Sequence, residues 1–373
     1  MLMKYFFFLL LLVYTSALHA QTTPAADEYA KGRDIIRELQ TIVTPNGLQE
    51  SYQVEVGGVQ HAVYVRGKDK ENPIILFVHG GPASPLSPVM WTFQGPMEEY
   101  FTFVNYDQRA SGRTYTLNDT AQLGKTLFID QYVTDAIALA EHVREKYGKR
   151  KLILMGHSWG TIISMKAALQ RPDLFYAYVG IGQVINTVKN EEISFAYALR
   201  VASEEKNEEA LKELTSIAPY PGDKPLTRER IVLARKWPQY YGGLSAYRTD
   251  SRQFFAAPLL SPEYTRQEVS AINQGSLFTL EKVLPEFLEV NFDGIKSFPI
   301  PVFMFMGRHD YTTPSEPTAQ WLAQVKAPKK QAIWFEHAAH LIPLEEPGKM
   351  LVSLLEHVRP LALEASGRPK KSR

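Results

Sequence analysis

Two stretches early in the chain, Ser51 to Val56 and Val59 to Val65, alternate apolar and polar positions and meet at Gly57-Gly58, which predicts a β-hairpin. Beyond them the alternation stops. Ile74-Ile75-Leu76-Phe77-Val78, Phe101-Thr102-Phe103-Val104, Leu152-Ile153-Leu154-Met155, Tyr178-Val179-Gly180-Ile181 and Val302-Phe303-Met304-Phe305-Met306 are continuous apolar runs, the pattern of strands buried on both faces. Helical periodicity lies between several of them, at Ile129 to Tyr147 and Thr161 to Gln170 for example. The predicted class is therefore α/β, a mainly parallel sheet flanked by helices. Asp27 to Val43 carries apolar residues at Ile35, Ile36, Leu39, Ile42 and Val43, which predicts a helix packed on the outside of the domain.

The rhythm breaks from Thr187 to Phe298. Charged helical patterns (Glu204 to Leu214, Arg228 to Trp237, Thr279 to Val290) alternate there with loops such as Ala218-Pro219-Tyr220-Pro221-Gly222-Asp223, and no buried strand is expected. An insertion of roughly 110 residues far exceeds an ordinary loop, so residues 187–298 are expected to form a helical cap folded over one end of the sheet. Residues 21–186 and 299–365 would then form a discontinuous core.

Composition narrows the classes. With 373 residues and 45% hydrophobic content the chain can bury a full core. Its 41 lysines and arginines nearly cancel 40 aspartates and glutamates, so no overall field favours nucleic acid or an anionic membrane. Cysteine is absent, which removes thiol catalysis, cysteine zinc sites and disulfides. Residues 1–20 combine a basic start (Lys4), an apolar run from Tyr5 to Val13 and a small-residue stretch ending at Ala20, the layout of a secretory signal peptide. The apolar run is well short of the ~20 residues that span a bilayer. Export to the periplasm or the medium is expected, with no integral membrane segment after cleavage. The tail at 366–373 is basic and turn-rich and reads as a flexible end.

The strongest chemical signal is Gly156-His157-Ser158-Trp159-Gly160, placed directly after a predicted strand and before a helix. A sharp turn there strains Ser158 and leaves no room for side chains two positions either side. A serine hydroxyl needs a base, and the base needs an orienting acid. Asp310, in Gly307-Arg308-His309-Asp310, follows the strand ending at Met306, and His340 follows Ile333-Trp334-Phe335, which reads as the last strand. Asp293 is a rival acid but precedes its strand; His157 and His309 remain rival bases. His337, three residues from His340, suggests a metal pair that no neighbouring ligand set completes. His79-Gly80-Gly81-Pro82 supplies a close-approaching backbone, so the N–H groups of Gly81 and Trp159 are the expected oxyanion donors.

The sequence resembles the proline iminopeptidase branch of the α/β-hydrolase fold. Three segments carry the resemblance, His79-Gly80-Gly81-Pro82, Asp107-Gln108-Arg109-Ala110-Ser111-Gly112-Arg113 and Gly156-His157-Ser158-Trp159-Gly160-Thr161, and with the Asp310 and His340 segments it spans about Pro73 to Pro347. It implies an enzyme that releases N-terminal residues, often proline, from peptides without metal or cofactor. Within the second motif, Asp107 and Arg109 are expected to hold their loop against the oxyanion loop. Ala83 and Ala110 stand where the family usually has glycine. Glutamates of the cap bind the substrate amine in the family; Glu191, Glu192, Glu204 and Glu205 are candidates here, each read first as a solvated helix residue. An esterase or amidase using the same Ser158, Asp310 and His340 is the alternative function. A non-catalytic binding protein on a hydrolase scaffold is the alternative of another class.

Overall fold

The continuous apolar runs assemble into the middle of one eight-stranded sheet. The computed structural model describes residues 27–365, so the expected signal peptide at 1–20 and the basic tail at 366–373 lie outside the described residues. In chain order the strands are β1 (Leu48–Val56), β2 (Val59–Gly67), β3 (Ile74–Val78), β4 (Thr102–Tyr106), β5 (Leu152–His157), β6 (Phe175–Ile181), β7 (Val302–Gly307) and β8 (Lys330–Phe335). Across the sheet they run β1-β2-β4-β3-β5-β6-β7-β8. The β1–β2 hairpin and the β2–β4 pair are antiparallel, and every pair from β4 to β8 is parallel. β3, β4, β5 and β7 are buried along their whole length, whereas β1 alternates half-buried and exposed residues as an outer strand does.

Alternate residues of the buried strands feed two cores. On one face Leu76, Val104, Leu154 and Met304 pack under the helices Ile129–Lys146 and Trp159–Gln170. On the other, Phe77, Phe103, Phe303 and Phe305 meet Met350, Leu354 and Val358 of the C-terminal helical region. Each such side chain contributes about 1.5–3 kcal/mol by burial. The first helix, Ala30–Leu39, lies outside as its pattern predicts, but Ile35 and Leu39 of its apolar stripe are exposed rather than packed.

Strand order fixes where a site can form. From β3 the chain moves outward to β4, then returns to place β5 on the other side of β3. At such a reversal the loops leaving the carboxyl ends of neighbouring strands diverge, and open α/β sheets place their ligand crevices there. Those loops are His79-Gly80-Gly81-Pro82 and the turn at Ser158.

Between β6 and β7 the chain is helical, with no named strand. Its two ends are joined by a bridge between Asn186 and Asn291, and Thr187 N–H donates to Val290 O. Two helices differ from expectation. The pattern at Glu204 to Leu214 straddles a break: one helix ends at Glu204, Lys206 takes φ 54°, and the next is Glu208–Ile217, capped by Asn207. The helix expected from Thr279 starts instead at Arg266, where Thr265 and Glu268 form a reciprocal capping box. The insertion has its own core, in which Phe195, Leu214, Tyr220 and Trp237 meet.

Glu191 is not solvated, contrary to its sequence reading. It is 2% exposed, and its carboxylate accepts from Tyr220 Oη and from the Arg235 guanidinium, each at 2.6 Å. Glu192, Glu204 and Glu205 are exposed, and Glu204 pairs with Arg200. Arg235→Met strands a buried carboxylate and should destabilise the protein by on the order of 3 kcal/mol in urea unfolding. The double variant Arg235→Met/Glu191→Leu should recover most of that loss. A single variant as stable as the wild type would show that the pair holds nothing together.

Candidate functional site

The turn after β5 is shaped by its glycines. Ser158 adopts φ 54° and ψ −124°, a conformation that costs a non-glycine residue about 1–3 kcal/mol. It is held there by its own N–H, which donates to Ile181 O at 2.9 Å, and by its C=O, which accepts from Thr161 N at 2.8 Å. A Cβ on Gly160 would collide with the carbonyls of Val78 and His79, and one on Gly156 with Gly160 O and Ser164. The sequence reading of both glycines is thus a steric fact of the fold. Ser158 lies half-buried as the N-cap of the following helix, and its hydroxyl makes no capping hydrogen bond.

Asp310 and His340 come together on the same edge. Asp310 Oδ2 lies 2.9 Å from His340 Nδ1, with both side chains almost fully buried. The other carboxylate oxygen, Oδ1, accepts the N–H groups of Thr312 and Thr313 at 2.9 and 2.8 Å, and Thr313 Oγ1 lies 3.0 Å from Oδ2. Since a carboxylate only accepts, Nδ1 of His340 carries a proton, and in the neutral ring Nε2 is then the nitrogen with the lone pair. The insertion braces both loops: Gly243 O accepts from Tyr311 and Thr312, and Leu244 O from His340 and Leu341.

The rivals fall elsewhere. Asp293 pairs with Lys189 at 2.8 Å and Asn186 at 2.9 Å, so its carboxylate is engaged apart from the Asp310–His340 pair. His309 Nε2 faces Tyr247 Oη at 3.0 Å, and His337 Nδ1 faces the same hydroxyl at 3.3 Å. His157 Nε2 faces the backbone carbonyl of His340. None of the three touches the Asp310 carboxylate. Among the described residues no group of three or more His, Cys, Asp or Glu could hold a metal.

The second motif works differently from its sequence reading. Arg109 turns away from the glycine loop: its guanidinium makes two 2.9 Å bonds to Asp135 on the helix Ile129–Lys146 and one of 3.0 Å to Gly57 O in the hairpin. Asp107 accepts from Tyr264 Oη, Arg113 N–H and Ser87 Oγ. The residue between them makes the contact. Gln108 Nε2 donates to His79 O at 2.6 Å, Gln108 N–H donates to His79 Nε2 at 3.0 Å, and Gln108 Oε1 accepts from the Trp159 indole at 3.2 Å. One buried amide therefore ties the glycine loop to the residue after Ser158. Ala83 and Ala110, at φ 53° and 59°, occupy backbone conformations that suit glycine, so the chain retains at both sites the left-handed turn that glycine would take without strain.

Burial keeps two histidines beside the crevice neutral. Desolvation pushes His79 down to about 4 and His157 down to about 3. In the unfolded chain both would titrate near the ordinary ~6.5, so between that value and pH 5 the unfolded state binds more protons and stability falls on acidification. Asp107, which burial pushes up to about 6, acts in the opposite sense for one proton against two. The expected net loss near pH 5 is about 1.4 kcal/mol per pH unit. Urea midpoints at pH 7 and pH 5 test this; an unchanged or higher midpoint at pH 5 would refute it.

A separate cavity of about 600 Å³ lies at the other end of the sheet, lined by Lys70, Tyr147, Arg150 and Tyr176 among others. None of Ser158, Asp310 and His340 lines it.

Comparison with known proteins bears on the fold and the family. A family model described as alpha/beta hydrolase fold matches residues 73–347. The chain is 30% identical over 313 residues to a probable aminopeptidase of Bacillus subtilis (strain 168), covering 82% of this chain and 95% of that protein. It is 28% identical over 120 residues to a proline iminopeptidase of Neisseria gonorrhoeae, covering 32% of this chain and 36% of the other. A proline iminopeptidase-related protein from Thermus thermophilus has a similar structure, with a TM-score of 0.53 and 19% identity over 85% of this chain and 98% of that one. By the family match and by the extent of its likeness to the Bacillus protein, the chain belongs to the alpha/beta hydrolase fold family and is proline iminopeptidase-like within it.

Proposed function

We propose that the protein is a serine hydrolase that works through an acyl-enzyme and releases N-terminal residues from peptides. The observation that carries the chemistry is the buried 2.9 Å contact between Asp310 and His340 on the sheet edge that also presents Ser158. In this reading His340 Nε2 takes the proton of Ser158 Oγ as it attacks the scissile carbonyl, then returns that proton to the leaving amine. Asp310 holds the ring in the tautomer that leaves Nε2 basic and stabilises the imidazolium. The N–H groups of Gly81 and Trp159 receive the developing oxyanion, and Gln108 fixes the two segments that carry them. Water, activated by His340, releases the acyl group.

A serine nucleophile also restricts the substrate. Attack on a carbonyl gives an ester that water can cleave, whereas attack on a saturated carbon would give an ether that it cannot, so acyl transfer is the class the residue supports. The peptide preference rests on the aminopeptidase likeness over most of the chain. Prolyl- and alanyl-amides with free or acetylated amines, assayed beside p-nitrophenyl esters, test it. Free-amine substrates should be strongly preferred; equal turnover of acetylated substrates would leave an esterase or amidase with the same triad.

A further inference from the structure

The backbone of the proposed base is held from two sides. His340 N–H donates to Leu244 O of the insertion at 3.1 Å, and His340 C=O accepts from His157 Nε2 at 3.0 Å. A carbonyl only accepts, so the proton of His157 sits on Nε2 and the lone pair on Nδ1. That Nδ1 is buried and has no hydrogen-bond partner among the described residues, and a Cβ on Gly80 would stand 3.2 Å from it. A purely apolar side chain of similar size would avoid leaving this atom unsatisfied, so packing does not explain a histidine here. The two rings stand 4.8 Å apart between centroids, tilted by 40°.

We infer that His157 is a positioning residue: its Nε2–H grips the His340 carbonyl and so fixes the His340 ring relative to Ser158, the next residue in the chain. This inference rests on the reading of Ser158 and His340 as nucleophile and base. Its geometry is direct. The loop that bears His340 leaves β8, the turn that bears Ser158 leaves β5, and β6 and β7 lie between those strands. The grip on the His340 carbonyl joins the two loops at the level of the chemistry. The choice of histidine is also explained. The site needs a donor without a permanent charge, because the neighbouring ring becomes an imidazolium in each catalytic cycle. Burial, reinforced by the adjacent His340, holds His157 down to about 3, so it donates while staying neutral.

The test uses His157→Gln, whose side-chain nitrogen reaches the place of Nε2, His157→Asn, whose nitrogen falls short of it, and His157→Met, which has no donor. Fluorophosphonate labelling rates and kcat and KM on an alanyl-amide are followed from pH 5 to 9, with thermal midpoints for each protein. The Asn and Met variants should lose about 10²-fold in labelling rate and kcat with KM unchanged. The Gln variant should recover most of that loss and keep the wild-type acid limb. Should Met fail to fold, the comparison of Asn with Gln carries the same information. Asn and Met proteins as active as the wild type would overturn the assignment, as would equal impairment of all three in step with their thermal midpoints. A His340→Ala protein labelled at the wild-type rate would instead refute the base itself, and the grip with it.

Discussion

A Ser158→Ala protein is expected to fold normally, escape fluorophosphonate labelling and lose about 10⁶-fold in kcat. The size follows from the division of labour at the site. In the proposed mechanism, loss of the hydroxyl removes the acyl-enzyme and leaves His340 only water to activate, while the donors on Gly81 and Trp159 still stabilise whatever oxyanion forms. Some catalysis above the uncatalysed rate therefore survives, typically ~10³-fold to 10⁴-fold. Normal folding is expected because alanine and serine meet the same steric demand at φ 54°, and because the hydroxyl makes no capping hydrogen bond that its removal would break. Intact-mass measurement after labelling and circular dichroism are the readouts. Turnover within tenfold of the wild type, or a label on another residue, would mean that the nucleophile lies elsewhere.

The parts of this site that were legible in the sequence share a physical cause. Strands buried on both faces must be continuously apolar, so β3, β5 and β7 announce themselves, and with them the loops at their carboxyl ends. A strained strand-to-helix turn cannot tolerate a Cβ at its close approaches, so Gly156 and Gly160 mark Ser158. A count of strands puts Asp310 and His340 on loops of one sheet edge, where their side chains meet, and leaves Asp293 before its strand, where it pairs with Lys189.

What stayed hidden depends on contacts between segments far apart in the chain. Gln108 sits between two charged residues, yet it is the neutral amide that reaches both His79 and Trp159, because a donor and an acceptor are needed at once. Arg109 has its partner in Asp135, 26 residues away on a helix, and nothing in the motif indicates which way the guanidinium turns. Glu191 looked solvated because its neighbours in sequence are polar; its burial is produced by Tyr220 and Arg235 arriving from other parts of the insertion. The early start of the helix at Arg266 is a different case, since Thr265 and Glu268 formed a readable capping signal.

Asp310→Asn should cost about 10⁴-fold in kcat, and the hydrogen bonds around the carboxylate explain why so small a change acts so strongly. Oδ1 accepts two backbone N–H groups, from Thr312 and Thr313, so an asparagine must place its oxygen there and its amide nitrogen where Oδ2 now faces His340. An amide N–H pointing at Nδ1 forces that nitrogen to accept. The ring proton then moves to Nε2, the atom that takes the proton of Ser158 in the proposed mechanism, and the base is blocked without any displacement of its ring. Stability should change little, because the same atoms stay bonded. The loss should be smaller at high pH, where hydroxide bypasses the blocked base, and steady-state kinetics from pH 6 to 10 would show this. Asp293→Asn, made beside it, should leave kcat unchanged. A reversal of the two results would transfer the orienting role to Asp293 and remove Asp310 from the site.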